Sequence, residues 1–186
     1  MWKLLELGEI EKSELKYRRF EIFTERFSLN ADPKRMAESY MLHLSEKGYL
    51  LQGAYELCAS LFGKARLFII TNGIKHIQDG RFARCGIADL FEARFISESV
   101  GYEKPRKEFF DYVESHIEGF SRERAIVVGD SLSSDIRGGI NAGIDTCFYD
   151  PKGTEIPLDM RDKITYTASD YSQIYRIITE ESYGDR

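Results

Sequence analysis

One short segment, residues 125–135, constrains this chain more than any other. It reads Ala-Ile-Val-Val-Gly-Asp-Ser-Leu-Ser-Ser-Asp. The continuous apolar run is typical of a strand buried on both faces of a parallel sheet, and Gly-Asp ends it. Because ligands of open α/β sheets bind beyond the carboxyl ends of the strands, Asp130 lies where a carboxylate can hold a hard cation such as Mg²⁺. The alternative is an ordinary strand-to-helix turn in which Asp130 and the serines only cap the helix.

The rest of the chain divides into a helical part and an alternating part. Residues 1 to about 50 are helical and highly charged, and Asp32-Pro33 is an N-cap followed by proline at the first helical position. From about residue 51 onward, predicted strands alternate with helices. The predicted strands lie at 67–70, 95–96, 125–128, 146–149 and 164–166, and the predicted helices at 74–85, 105–117, up to 141, and from 170 onward. This order predicts an α/β fold with a doubly wound parallel sheet.

Composition excludes several classes of protein. A chain of 186 residues fits one domain, or one domain with a lid. The net charge of −5 argues against binding of a nucleic-acid polymer, although a small phosphorylated substrate needs only a local positive site. No apolar run approaches the roughly 20 residues of a membrane span, and no signal peptide is recognisable, so we expect no membrane partner and a cytoplasmic protein. Cys58, Cys85 and Cys147 are far apart in apolar surroundings, which is typical of reduced core residues.

Two further polar features follow predicted strands. Thr71-Asn72-Gly73 offers a hydroxyl, an amide and a glycine N–H at a helix N-terminus, which can cradle an anion. An ordinary capped turn would use the same residues. Lys104 lies just before a predicted helix start, where the helix dipole disfavours a cation. That mismatch favours a lysine that faces an anion over a solvated surface lysine.

These features should meet at one edge of the predicted sheet. An anion cradle, a lysine and a carboxylate pair, Asp130 with Asp135, all follow the carboxyl ends of strands. Such a set suits phosphoryl transfer, because positioning and charge neutralisation supply most of the catalysis in that reaction.

In order and context, these residues resemble the motifs of the haloacid dehalogenase-like phosphohydrolases. Those enzymes carry a Ser or Thr after one strand, then a Lys, then an Asp in a Gly-Asp turn. The resemblance is closer still to the noncanonical pyrimidine nucleotidases and runs through essentially the whole chain. The matching segments are Ile70–Gly73, Gln78 with Arg81, Ser97–Pro105 and Gly129–Cys147.

The resemblance implies a fold, an activity and a role for each residue. It implies a partial helical cap over residues 1–50, an α/β core over residues 51–186, and hydrolysis of nucleoside 5′-monophosphates. The implied roles are phosphate binding by Thr71, Asn72 and Gly73, phosphate neutralisation and orientation of the nucleophile by Lys104, Mg²⁺ binding by Asp130, and a hydrogen bond from Asp135 to the lysine or to a metal-bound water.

One departure from the family pattern limits what the resemblance implies. Enzymes of this family place an Asp-x-Asp on their first strand, and its first Asp is the nucleophile that forms an aspartyl-phosphate. The 186 residues contain no Asp-x-Asp. We therefore expect a fragment that lacks this strand, its loop and a cap helix, on the order of 40 residues, and that does not hydrolyse phosphate esters by the family mechanism. In the family the missing strand lies between the strands that end at Thr71 and at Asp130. These two strands should therefore keep open edges or close a gap of about two strand spacings, near 10 Å.

Two other functions compete with this interpretation. Gly129-Asp130-Ser131-Leu132 also spells the block that names the GDSL esterases, with Ser131 as the nucleophile. Such a serine needs a histidine base, and in that family the histidine follows far downstream. Here all three histidines precede the block, at positions 43, 76 and 116, and are better interpreted as core or surface residues. The second alternative is a non-catalytic remnant that binds phosphate or a partner.

Overall fold

A computed structural model describes residue 10 and residues 12–179. Its first helices are α1 (Lys12–Arg26), α2 (Pro33–Ser45) and α3 (Ala54–Leu61). Helix α2 begins where the sequence predicts, because the Asp32 carboxylate accepts the backbone N–H groups of Lys34 at 2.9 Å and Arg35 at 3.4 Å. Ala37 and Met41 of α2 lie in one buried cluster with Ile77 of the helix Lys75–Arg84, which follows the first strand.

Strands and helices alternate through the rest of the described chain. In order they are β1 (Phe68–Thr71), α4 (Lys75–Arg84), β2 (Ala93–Ile96), α5 (Ser97–Val100), α6 (Lys107–Ser115), β3 (Ile126–Gly129), α7 (Arg137–Ala142), β4 (Asp145–Tyr149), α8 (Leu158–Arg161), β5 (Tyr166–Ala168) and α9 (Tyr171–Thr179). A π-helical turn, Leu132–Ile136, runs directly into α7. The predicted α/β class is confirmed.

The five strands form two parallel sheets. One contains β1 and β2, and the other has the order β3-β4-β5. Within the described residues β1 and β3 do not pair with each other, so each has one open edge. These are the two strands that the sequence predicts on either side of a missing central strand. Val128, in the middle of β3, is 38% exposed, whereas strands of parallel sheets are normally covered on both faces.

One apolar core nevertheless spans both sheets. Phe95 of β2 and Val127 of β3 lie in the same buried cluster as Phe109 and Val113 of α6. Helix α6 therefore covers a face of each sheet and holds the carboxyl ends of β1 and β3 on the same side of the molecule.

The predictions from composition can also be compared with the fold. Cys147 is fully buried in β4, Cys58 and Cys85 are partly buried, and all three are free thiols. No helix in the described ranges has the length and apolar character needed to cross a bilayer.

Candidate active site

Lys104 lies at the centre of the polar groups that follow the strands. Its side chain is buried, and the residue is 5% exposed. The ammonium donates to the carbonyl oxygen of Ile70 at 2.9 Å and to Oδ1 of Asp135 at 2.6 Å. Ile70 belongs to β1 and Asp135 follows β3, so one side chain joins the carboxyl ends of the two sheets.

Asn72, in the turn after β1, binds the main chain of the same lysine. Its Oδ1 accepts the N–H of Lys104 at 2.9 Å, and its Nδ2 donates to the carbonyl oxygen of Lys104 at 2.8 Å. Both ends of the carboxamide are therefore engaged across a separation of 32 residues in sequence.

Asp135 is held on its other side by the turn that follows β3. Its Oδ2 accepts the N–H of Ser131 at 3.2 Å. The strand ends in Gly129 for a steric reason, since a Cβ there would lie 2.4 Å from Oδ2 of Asp135. Only glycine lets this carboxylate fold back against the strand end and reach the lysine.

Asp130 differs from Asp135 in its surroundings. It is exposed at the carboxyl end of β3, and no hydrogen bond or ion pair joins its carboxylate to the described part of the chain. Its charge contributes, after burial, Tyr149 and Cys58, to raising the pKa of Tyr171 to about 12. Its carboxylate is thus available to an external ligand.

The donor set can be compared with the needs of Mg²⁺. No group of three Asp, Glu, His or Cys side chains is gathered for a metal among residues 10 and 12–179. Mg²⁺ is commonly bound by only one or two carboxylates and completes its octahedron with water and substrate phosphate oxygens. Asp130 fits that pattern as one oxygen ligand.

Thr71 and Gly73 form the remaining part of the predicted anion cradle. Thr71 ends β1, and its hydroxyl accepts the N–H of Gly73 at 3.0 Å. A Cβ on Gly73 would lie 2.3 Å from Nε2 of Gln78, so the glutamine of α4 packs directly over the turn. Both Thr71 and Gly73 are partly buried.

A cavity that the sequence interpretation missed adjoins Thr71. It measures about 200 Å³ and lies between β1, α4 and residues 48–50, with Gln78 and Arg81 in its lining. The sequence carried a signal for this cavity, since Gln78 with Arg81 is one of the segments that match the pyrimidine nucleotidases. What the sequence does not show is that this pair lies beside Thr71.

The predicted site residues thus fall into two groups. Lys104 is in direct contact with Asn72 and Asp135, and Thr71 follows the carbonyl group that Lys104 binds. Among the described residues, the exposed Asp130 carboxylate forms no hydrogen bond or ion pair with the other predicted site residues. The Ser131 hydroxyl, the alternative nucleophile, accepts the N–H of Ser134 at 3.2 Å and lies 3.3 Å from the Ser133 hydroxyl, with no histidine bound to it.

Comparison with known proteins agrees with this architecture. The family model of the haloacid dehalogenase-like hydrolases matches residues 11–149. The chain belongs to this family.

Its relatives include two nucleotidases. Pyrimidine 5′-nucleotidase PynA of Streptococcus pneumoniae (strain ATCC BAA-255 / R6) is 41% identical over 83% of this chain and 66% of its own length. Pyrimidine 5′-nucleotidase YjjG of Escherichia coli (strain K12) is 35% identical over 96% of this chain and 77% of its own. A crystal structure of YfnB from Bacillus subtilis, described as a HAD-hydrolase bound to magnesium, has a TM-score of 0.88 at 33% identity, with 95% of this chain and 77% of that one covered. The chain therefore spans about two thirds to three quarters of the length of these relatives.

Proposed function

We propose that this site binds the phosphate of a nucleoside 5′-monophosphate, of the pyrimidine type, for Mg²⁺-dependent hydrolysis. The observation that carries the proposal is the buried Lys104, whose ammonium lies between the end of β1 and the Gly-Asp turn after β3. A buried cation at the ligand-binding edge of an α/β sheet fits a small anion. The two pyrimidine 5′-nucleotidases among the relatives support the choice of substrate class.

Each residue receives a role from its position. The Thr71 hydroxyl and the N–H of Gly73 would bind phosphate oxygens after giving up their mutual hydrogen bond. Lys104 would neutralise the phosphate, and Asp135 holds that ammonium in place. Asp130 would hold Mg²⁺, which supplies further charge neutralisation when it is bound.

The hydrolysis also needs a nucleophile, and these 186 residues contain no Asp-x-Asp to supply it. We therefore infer that these 186 residues bind phosphate without turning over a phosphate ester. This inference includes the second candidate function, a non-catalytic remnant, because the groups that would bind phosphate are present even without a nucleophile for hydrolysis.

The test is an assay of the purified chain with Mg²⁺ and UMP, dUMP or a generic aryl phosphate. We expect no release of phosphate above background, and we expect inorganic phosphate to bind. Turnover that Asp130→Asn abolishes would contradict the inference of inactivity. Hydrolysis of an aryl acetate that Ser131→Ala abolishes would favour the esterase instead.

A further inference from the structure

We infer that Asn72 is a positioning residue for Lys104 and not itself a phosphate ligand. This inference rests on the proposed function and revises the role that the resemblance implies for Asn72, which is phosphate binding.

The hydrogen bonds of the carboxamide carry the inference. A side-chain amide that binds phosphate donates its N–H groups to the ligand and leaves its oxygen turned away from the negative charge. Here the oxygen accepts from Lys104 N–H and the nitrogen donates to Lys104 C=O, which is the pairing that a neighbouring strand would offer to that residue. Asn72 therefore substitutes for a strand at a point where no strand pairs with Lys104 within the described residues.

The location of Lys104 explains why such a clamp is needed. The residue lies in the turn between α5 and α6, outside any sheet, yet its ammonium must reach both β1 and Asp135. A turn fixes a long side chain poorly, because a lysine held in one conformer loses rotamer freedom that the turn alone does not restrict. Two main-chain bonds from Asn72, itself anchored at the end of β1, set the distance between the lysine backbone and the site.

A second asparagine gives a matched control. Asn141 of α7 donates from Nδ2 to the carbonyl oxygen of Pro105 at 3.0 Å, one residue further along the same turn. It binds neither the backbone nor the side chain of Lys104. If any asparagine contact to this turn were sufficient, Asn72 and Asn141 would be equivalent.

The first experiment needs no ligand. The side-chain ammonium signal of Lys104 is recorded by NMR on the full chain, labelled with ¹⁵N-lysine and assigned through its loss in Lys104→Arg. We expect Asn72→Ala to shift this signal and to speed its exchange with water roughly tenfold, the effect of two lost hydrogen bonds. Asn72→Asp keeps the acceptor and loses one bond, so it should fall between, and Asn141→Ala should match the wild type.

The second experiment measures binding of inorganic phosphate to the same proteins. Asn72→Ala should raise Kd roughly tenfold, and it should add less than about twofold in a Lys104→Arg background, because residues that act through one another are not additive. An unchanged Lys104 signal in Asn72→Ala, or additive effects on Kd, would overturn the inference and return Asn72 to the phosphate. If the wild type binds no phosphate, the proposed function fails, and the ligand-free signal still decides the role of Asn72. If Asn72→Ala does not fold, the ligand-free Lys104 signal of Asn72→Asp decides instead: a shifted signal supports the inference, and an unchanged one overturns it.

Discussion

At the scale of single residues, Gly129 matters because it is packed directly against Asp135 and leaves no space for a side chain. Alanine at this position would place its Cβ 2.4–2.5 Å from three atoms of Asp135. Either the strand end or the carboxylate must move, and overpacking of this kind costs about 1–3 kcal/mol. We expect Gly129→Ala to lower the free energy of unfolding by that amount and to weaken phosphate binding.

Urea unfolding and a phosphate titration measure these two effects. Val128→Thr is the control, since Val128 is adjacent in the same strand and is 38% exposed. Equal losses of stability and of phosphate affinity in the two variants would mean that the absence of a side chain at Gly129 does not determine the position of Asp135.

The Lys104–Asp135 pair makes a separate prediction about stability. With side chains only 6% and 14% exposed, the pair cannot lose one member without leaving the other charge buried, which costs about 3–5 kcal/mol. Lys104→Met should therefore destabilise strongly, and adding Asp135→Asn should recover a large part of the loss. Lys107 and Asp111 form an exposed pair at a similar distance, 2.6 Å, and Lys107→Met should cost less than about 1 kcal/mol. Similar losses from the two lysine variants, measured by urea unfolding, would show that the buried pair is not coupled.

At the scale of elements, a buried thiol in β4 should make the folding stability fall at alkaline pH. Burial raises the pKa of the Cys147 thiol to about 11 from an ordinary value of 9.0. Between these values the unfolded chain loses the proton and the folded chain keeps it, so stability is complete below pH 9 and falls as pH rises toward 11. The difference between a pKa of about 11 in the folded chain and 9.0 in the unfolded chain corresponds to a loss of folding stability on the order of 2–3 kcal/mol.

Urea unfolding at pH 8, 9, 10 and 11 tests this dependence. Cys147→Ala should be less stable at pH 8 and should lose less stability on going to pH 11. Val127→Ala removes core volume without a titratable group, so it should lower stability at every pH and keep the wild-type slope. The difference between slopes isolates Cys147 from Tyr171, whose pKa is also raised, to about 12, mainly by burial.

The elements also show what the sequence can and cannot predict. Strand β3 was predictable because a continuous apolar run and Gly-Asp define both its character and its end. Strand β5 begins at Tyr166, two residues later than predicted, because side-chain hydroxyls replace the backbone carbonyls at Thr165. The N–H of Thr146 donates to Oγ1 of Thr165 at 3.1 Å, and the N–H of Thr165 donates to Oγ1 of Thr146 at 3.3 Å. Backbone pairing starts at the next residue. The sequence placed Asn72 and Lys104 at the same edge, but the bonds between them join residues far apart in the chain, and no local pattern encodes such a contact.

At the scale of the whole molecule, the open edges of β1 and β3 make a prediction about a longer protein. We expect a strand that carries Asp-x-Asp to pair with both edges when it is added. Its carboxylates would join Asp130, so Mg²⁺ should then stabilise the folded state by roughly 2–4 kcal/mol at a hundred to a thousand times its Kd.

Thermal melting of the 186-residue chain and of the longer protein, which is the same chain with the added Asp-x-Asp strand, measures this effect with and without Mg²⁺. Asp130→Asn in the longer protein should remove both the shift in Tm and the nucleotidase activity. Equal Tm values for the two proteins, with no effect of metal in either, would contradict the assignment of these edges.

The division into two sheets also bears on how the chain opens and closes. Each sheet is assembled from one continuous stretch of sequence, residues 68–96 for β1 and β2 and residues 126–168 for β3 to β5. Between them lie α6 and the Lys104 ammonium, and no backbone pairing of β1 with β3 joins the two stretches within the described residues. Cooperative units of this kind open with separate free energies. Native-state hydrogen exchange should therefore separate the amides of β2 from those of β4 into two groups. Lys104→Met should increase the difference between the opening free energies of the two groups, because it removes a side chain that hydrogen-bonds to both stretches.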